Sequence, residues 1–93
     1  MRFDWDPDKA AKNLGRHRPT FEEATEVFAS GVVAMERKDE RHAEPRWVRV
    51  GPIARGMIVV VWTEREGDTI RIISARFASR VERALYEEYV SIL

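Results

Sequence analysis

Apolar and polar residues alternate over Arg2–Trp5, which predicts a short strand. Asp6-Pro7 then starts a helix, with aspartate at the N-cap and proline at the first helical position. Trp5, just before the cap, is placed to pack on Ala10 as a hydrophobic staple, and Gly15 suits the left-handed position that closes a helix. Arg16-His17-Arg18-Pro19 is a connector. Thr20 opens a second helix, and Glu23 three residues on completes a capping box. Phe21, Ala24, Val27 and Phe28 share one helical stripe before Ser30-Gly31 stops it.

Strand character returns at Val32–Met35. The polar stretch Glu36–Pro45 reads as a loop and is the expected mobile segment. Arg46–Val50 alternates, with Val48 and Val50 on one face and Trp47 and Arg49 on the other. Gly51–Gly56 reads as a turn. Met57–Trp62 is a continuous valine-rich run, the pattern of a central strand covered on both sides. Glu66-Gly67-Asp68 turns the chain into a last strand, Thr69–Arg76, which ends in the polar pair Ser74 and Arg76. From Ala78 the spacing is helical. Val81, Leu85, Tyr89 and Ile92 form the stripe expected to pack on the sheet. Tyr86, Val90 and Leu93 form a second apolar edge, available to a partner or to the sheet. This order predicts an α+β fold: two N-terminal helices after a short strand, a curved antiparallel sheet of about four strands, and a C-terminal helix. The chain has 93 residues and no interdomain linker, so a single domain over 1–93 is expected.

Composition narrows the function classes. Cysteine is absent, which excludes disulfides and thiolate metal sites. The start, Met1–Asp6, lacks a signal-peptide apolar core and no run is long enough to span a membrane, so a cytoplasmic protein is expected. The zero net charge hides a bias: residues 46–93 carry eight arginines and no lysine against six acids. A basic face on a neutral body suits an RNA or an acidic partner. His17 and His42 are far apart and neither sits in a ligand-spaced cluster. Asp4, Asp6 and Asp8 surround a helix start, where capping and the helix dipole account for them. No metal or cofactor is therefore expected.

Taken together, these residues resemble the BrnT-type toxins of bacterial type II toxin–antitoxin pairs. The matching pieces are Phe3-Asp4-Trp5-Asp6 with Lys9 and Asn13, then His17 and Thr20-Phe21-Glu22-Glu23-Ala24 with Val27-Phe28. Glu44, Arg46-Trp47 and Gly51 follow. Thr63-Glu64-Arg65 and Arg71-Ile72-Ile73-Ser74-Ala75-Arg76, with Glu82 and Tyr86, complete the set. One departure is Arg16-His17-Arg18 before Pro19, where the family usually has Lys-His-Gly. The resemblance implies a RelE-like fold, endoribonuclease activity against cellular RNA, and growth arrest. It also implies neutralisation by a BrnA-like antitoxin carrying a ribbon-helix-helix domain. Operator DNA would be reached only through that antitoxin, in a dimer or a heterotetramer with it.

RNA offers a metal-free route to cleavage, because its own 2′-hydroxyl can attack the adjacent phosphate. The protein must then supply orientation, proton transfer and positive charge. The expected catalytic set is Arg76, presented at a strand end to grip the phosphate, with Arg46, and with His17 for proton transfer. Arg65, Arg80, Arg83 and Trp47 are expected to contact RNA, the tryptophan by stacking on a base. Glu64 and Tyr86 are further acid/base candidates. The competing reading is a non-catalytic module that only docks RNA or an acidic protein.

Overall fold

The valine-rich run lies at the centre of a five-stranded sheet in the computed structural model, which describes residues 1–14 and 17–93. The strands are β1 (Arg2–Trp5), β2 (Met35–Asp39), β3 (Arg46–Ile53), β4 (Gly56–Arg65) and β5 (Thr69–Phe77), in the spatial order β1-β5-β4-β3-β2. The described helices are α1 (Pro7–Leu14), α2 (Phe21–Ala24), followed by a 3₁₀ turn over Thr25–Phe28, and α3 (Arg80–Ser91).

The α+β class holds, and so do the starts of the first two helices, whereas the last helix begins at Arg80 rather than at Ala78. The Asp6 carboxylate accepts from the Asp8 backbone N–H, and Thr20 and Glu23 cap each other at the start of α2. A second capping box, between Ser79 and Glu82, opens α3. Gly15, read as a helix terminator, and Arg16 lie outside the described residues.

Several expectations need correction. The sheet is mixed and has five strands, because β1 joins it parallel to β5, from Arg2↔Thr69 to Trp5↔Ile72. On that edge Phe3 meets Phe28 (5.6 Å between ring centroids) and Trp5 meets Phe21 (5.9 Å), so the aromatic residues of β1 are drawn onto the sheet. Glu36–Asp39 of the expected polar loop are strand, while Val32–Ala34, expected as strand, are not. Met35–Asp39 pairs antiparallel with β3, and an edge strand accommodates charged side chains readily. The remaining loop, 40–45, is tied down at both ends, as described below. Gly51–Ile53 belong to β3, and the turn is only Ala54-Arg55. Gly51 is a point of close approach: a Cβ there would lie 2.7 Å from Val27 Cγ2.

The sheet separates two packing layers. On one face, Ile58, Val60, Ile70, Ile72 and Ala75 pack with Phe21, Ala24 and Val27 of the α2 region. On the other, Val50, Val59 and Ala78 pack with Tyr86 of α3. The stripe expected to bury α3 is mostly exposed: Val81 is 68% and Leu85 50% accessible, while Tyr86 is buried and donates its hydroxyl to the Val33 carbonyl at 2.7 Å. The helix is rotated because this tyrosine satisfies an apolar ring and a polar tip in one pocket.

A bulge between Val61 and Trp62 in the β4–β5 ladder decides which residues of β5 share a side. Val61 pairs with Ser74 but Trp62 pairs with Ile72, so Ile73 is the extra residue. Unbroken alternation would put Arg71 and Arg76 on opposite faces. With the bulge, Ile72 and Ala75 both enter the α2-side core, and Arg71, Ser74 and Arg76 all project to the α3 side.

Candidate functional site

Across the part of the α3 face that lies farthest from the Tyr86 cluster runs a row of polar residues. Asp39 pairs with Arg46, Thr63 with Arg71, and Arg71 with Asp4, so the row crosses all five strands. Arg46, one step beyond the Trp47↔Trp62 pair, falls beside Thr63. Arg65, two residues beyond Thr63 on the same face, extends the group toward the β4–β5 turn.

Loop 40–45 carries a carboxylate, Glu44, onto this group, and its anchoring is specific. Asp39, only 5% exposed, accepts from the backbone N–H of Arg41 and from its guanidinium at 2.9 Å. Those bonds hold the Asp39 carboxyl well below the usual carboxylate range. His42 Nε2 lies 3.7 Å from the same carboxylate. At the other end, the buried Thr63 hydroxyl donates to the Pro45 carbonyl at 2.5 Å. Glu44 thus has its backbone held from both sides. Its carboxylate stands 3.7 Å from Arg46 Nη2 and 3.5 Å from Arg65 Nη1, beyond hydrogen-bond length in both cases. Arg46 Nε is buried and has no hydrogen-bond partner among the described residues. Arg71, in contrast, meets Asp4 at 2.6 Å.

Arg76 occupies another station on the same face. It pairs in register with Val59, four residues before Thr63 on β4, which is about 13 Å along the strand. Its guanidinium makes two 2.7 Å bonds to the Glu82 carboxylate. This bidentate grip, helped by the Ser79 backbone N–H, pulls the Glu82 carboxyl down to about 2 and pushes the arginine up. Arg80 and Arg83 are exposed on the first turns of α3.

The structure therefore brings Arg46 and Arg65 together, with Arg76 on the same face but directed at a different carboxylate. It does not bring the remaining candidates to them. Trp47 projects to the opposite face and stacks on Trp62 at 5.1 Å, and the Trp62 indole N–H donates to Glu36 at 3.0 Å. Glu64, paired with Ile70, also projects to that opposite face. Tyr86 is a packing residue with its hydroxyl already committed. His17 is exposed at φ 53°, in the connector between the helices of the α2-side layer. Among the described residues no hydrogen bond or ion pair joins it to Arg46, Arg65 or Arg76. Residue-by-residue reading missed Glu44, Thr63 and Asp39 as site residues. The available signal was Glu44 two positions before Arg46, at a strand start.

A family model described as "Ribonuclease toxin, BrnT, of type II toxin-antitoxin system" matches residues 5–82, which takes in every residue of the Arg46 group except Asp4. No curated protein matches the chain. Because the match covers most of the sequence, from the end of β1 into α3, the chain belongs to the BrnT family of ribonuclease toxins of type II toxin–antitoxin systems.

Proposed function

We propose that the chain is a single-domain, metal-independent endoribonuclease with a RelE-like architecture that holds RNA on the open part of its α3 face. The observation that carries this reading is the group formed by Arg46, Arg65 and Glu44: two guanidiniums and a carboxylate on an accessible sheet face, with one arginine nitrogen unpartnered. Two fixed positive charges can bind a phosphate and stabilise the charge that develops as its phosphorus is attacked. The attacking group is the substrate's own 2′-hydroxyl. Arg71 and the more distant Arg76 are spaced to meet neighbouring phosphates of the same strand, with Arg80 and Arg83 beyond them.

The partner would be a cytoplasmic antitoxin of the ribbon-helix-helix type, through which alone the complex reaches operator DNA. The exposed aliphatic side of α3 (Val81, Leu85, Ile92) and the 500 Å³ groove it shares with Met35, Val48 and Val50 support an extensive protein contact. A second reading, a module that binds RNA without cutting it, is favoured by one observation: Arg71 and Arg76 are already paired with carboxylates.

Purified, chelator-treated protein incubated with RNA separates the two. Cleavage that survives chelation and drops in Arg46→Ala and Arg65→Ala, while the fold is kept, supports the enzyme. RNA binding without cleavage by the intact, antitoxin-free chain supports the module.

A further inference from the structure

The tight ion pairs of this protein have hydrogen-bond geometry. Arg76–Glu82, Arg71–Asp4, Arg41–Asp39 and Arg55–Glu23 all close to 2.9 Å or less. Glu44 is different. It faces two guanidiniums and bonds to neither, although its backbone is fixed from both sides by Asp39 and Thr63. At 3.7 and 3.5 Å between solvent-accessible groups these contacts add little stability, so the Glu44 carboxylate can exchange its arginine partners at small cost while its backbone stays in place.

We propose that Glu44 is a catalytic residue: the general base that takes the proton of the RNA 2′-hydroxyl, with Arg46 and Arg65 seating the scissile phosphate beside it. The assignment rests on the 2′-hydroxyl route proposed above. In the free protein the Glu44 carboxylate is the anion between the two arginines. An incoming phosphate takes over that charge pairing and leaves the carboxylate next to the sugar. The O2′–P bond forms as the P–O5′ bond breaks. The 2′ proton passes to Glu44 and the departing 5′ oxygen takes a proton from water, giving a 2′,3′-cyclic phosphate and a 5′-hydroxyl. The groups that set the charge around Glu44 are Arg46 on β3, Arg65 on β4, and Asp39, Arg41 and His42 at the start of its own loop. Glu64, the more obvious glutamate beside Arg65, cannot take this part, because it projects to the other face of the sheet.

The test compares wild type with Glu44→Gln and Glu44→Asp. Single-turnover cleavage of an RNA oligonucleotide is measured across pH, together with binding of the uncleavable 2′-deoxy oligonucleotide of the same sequence. Glu44→Gln is expected to slow cleavage about 10²–10⁴-fold and to abolish the acid limb of the pH–rate profile. Binding of the 2′-deoxy strand should be kept or become tighter, since a competing negative charge is gone, and Glu44→Asp should recover part of the rate. Cleavage by Glu44→Gln at or above the wild-type rate would show a displaceable counter-ion and overturn the assignment. So would parallel losses of cleavage, binding and thermal stability, which would show a structural role. If wild type yields cyclic phosphate while Glu44→Gln is undiminished, only the Glu44 role fails. If wild type requires a divalent ion or leaves no cyclic phosphate, the 2′-hydroxyl route fails as well.

Discussion

Arg46 and Arg76 stand on the same face of the same sheet, and each has a carboxylate for company, yet the two sites are built in opposite ways. Glu82 sits at the third helical position of α3, where it must also cap the Ser79 backbone N–H. Its geometry is fixed by the helix, so Arg76 closes on it with two short bonds and holds the start of α3 against β5. Glu44 is placed by a loop whose anchors, Asp39 and Thr63, secure the backbone and leave the side chain uncommitted. Arg46 and Arg65 therefore keep donors available. The contrast shows that an arginine's position at a strand end does not make it available; what matters is whether its carboxylate partner is also needed elsewhere.

The largest effect that would sharpen this contrast is on cleavage. Arg46→Ala should lower the single-turnover rate about 10²–10³-fold, as the loss of one charge-stabilising donor does elsewhere. Its thermal midpoint should barely move, since the 3.7 Å contact to Glu44 contributes little. Arg76→Ala should do the reverse, with a clear drop in midpoint and a smaller drop in rate. Equal rate losses for the two variants would erase the distinction between the stations.

A change on the opposite face serves as a control. Gly51→Ala pushes a methyl against the Cγ2 of Val27, the buried β-branched side chain of the 3₁₀ turn, with Ala34 Cβ 3.3 Å from the new methyl. Overpacking of this kind costs about 1–3 kcal/mol, read by denaturant unfolding. The surviving folded fraction should cleave RNA normally, because neither arginine station touches this contact. Loss of specific activity beyond the loss of folded protein would show that the two faces are coupled.

Acid reaches the tighter station through Glu82 and the Glu44 loop through Asp39, so the two are separated by comparing variants. The Glu82 carboxyl is held down to about 2, so its folded value lies below its unfolded one. The stability it contributes is complete above the unfolded value, near 4.5, and is lost as pH falls from there toward 2. Thermal midpoints should fall across that window in wild type and less steeply in Glu82→Gln, which keeps a capping side chain but has no charge to lose. Identical slopes in the two proteins would show that the Arg76–Glu82 pair does not anchor α3.

Much of the scaffold was legible because it rests on local chemistry. The capping box at Thr20 and Glu23, the valine run of β4 and the turn at Glu66–Asp68 need only short-range rules, and each is found where those rules put it. Parallel pairing of β1 with β5, the edge strand formed by a charged segment and the rotation of α3 onto Tyr86 depend on distant partners. The site was legible as composition but not as geometry. Alternation correctly separates Arg46 from Trp47, yet it gives the wrong side for Arg71 relative to Arg76 unless the bulge at Ile73 is known. No periodicity announces that Thr63 will hold Pro45, which is what delivers Glu44 to the arginines.

The smallest predicted effect is also the most direct count of which arginines touch RNA. Each phosphate contact on a single strand contributes about 0.7 to the slope of log Kobs against log salt concentration, through release of counter-ions. Binding of an uncleavable 2′-deoxy strand, titrated over a range of salt, should lose about that much slope in Arg46→Ala and again in Arg65→Ala. Arg71→Ala should lose less, because Asp4 must first be displaced at 2.6 Å. Arg76→Ala should lose almost none if Glu82 retains its guanidinium when RNA is bound. A full 0.7 lost at Arg76 would mean that RNA pulls this arginine off its helix cap, and the tight station would then be part of the binding track.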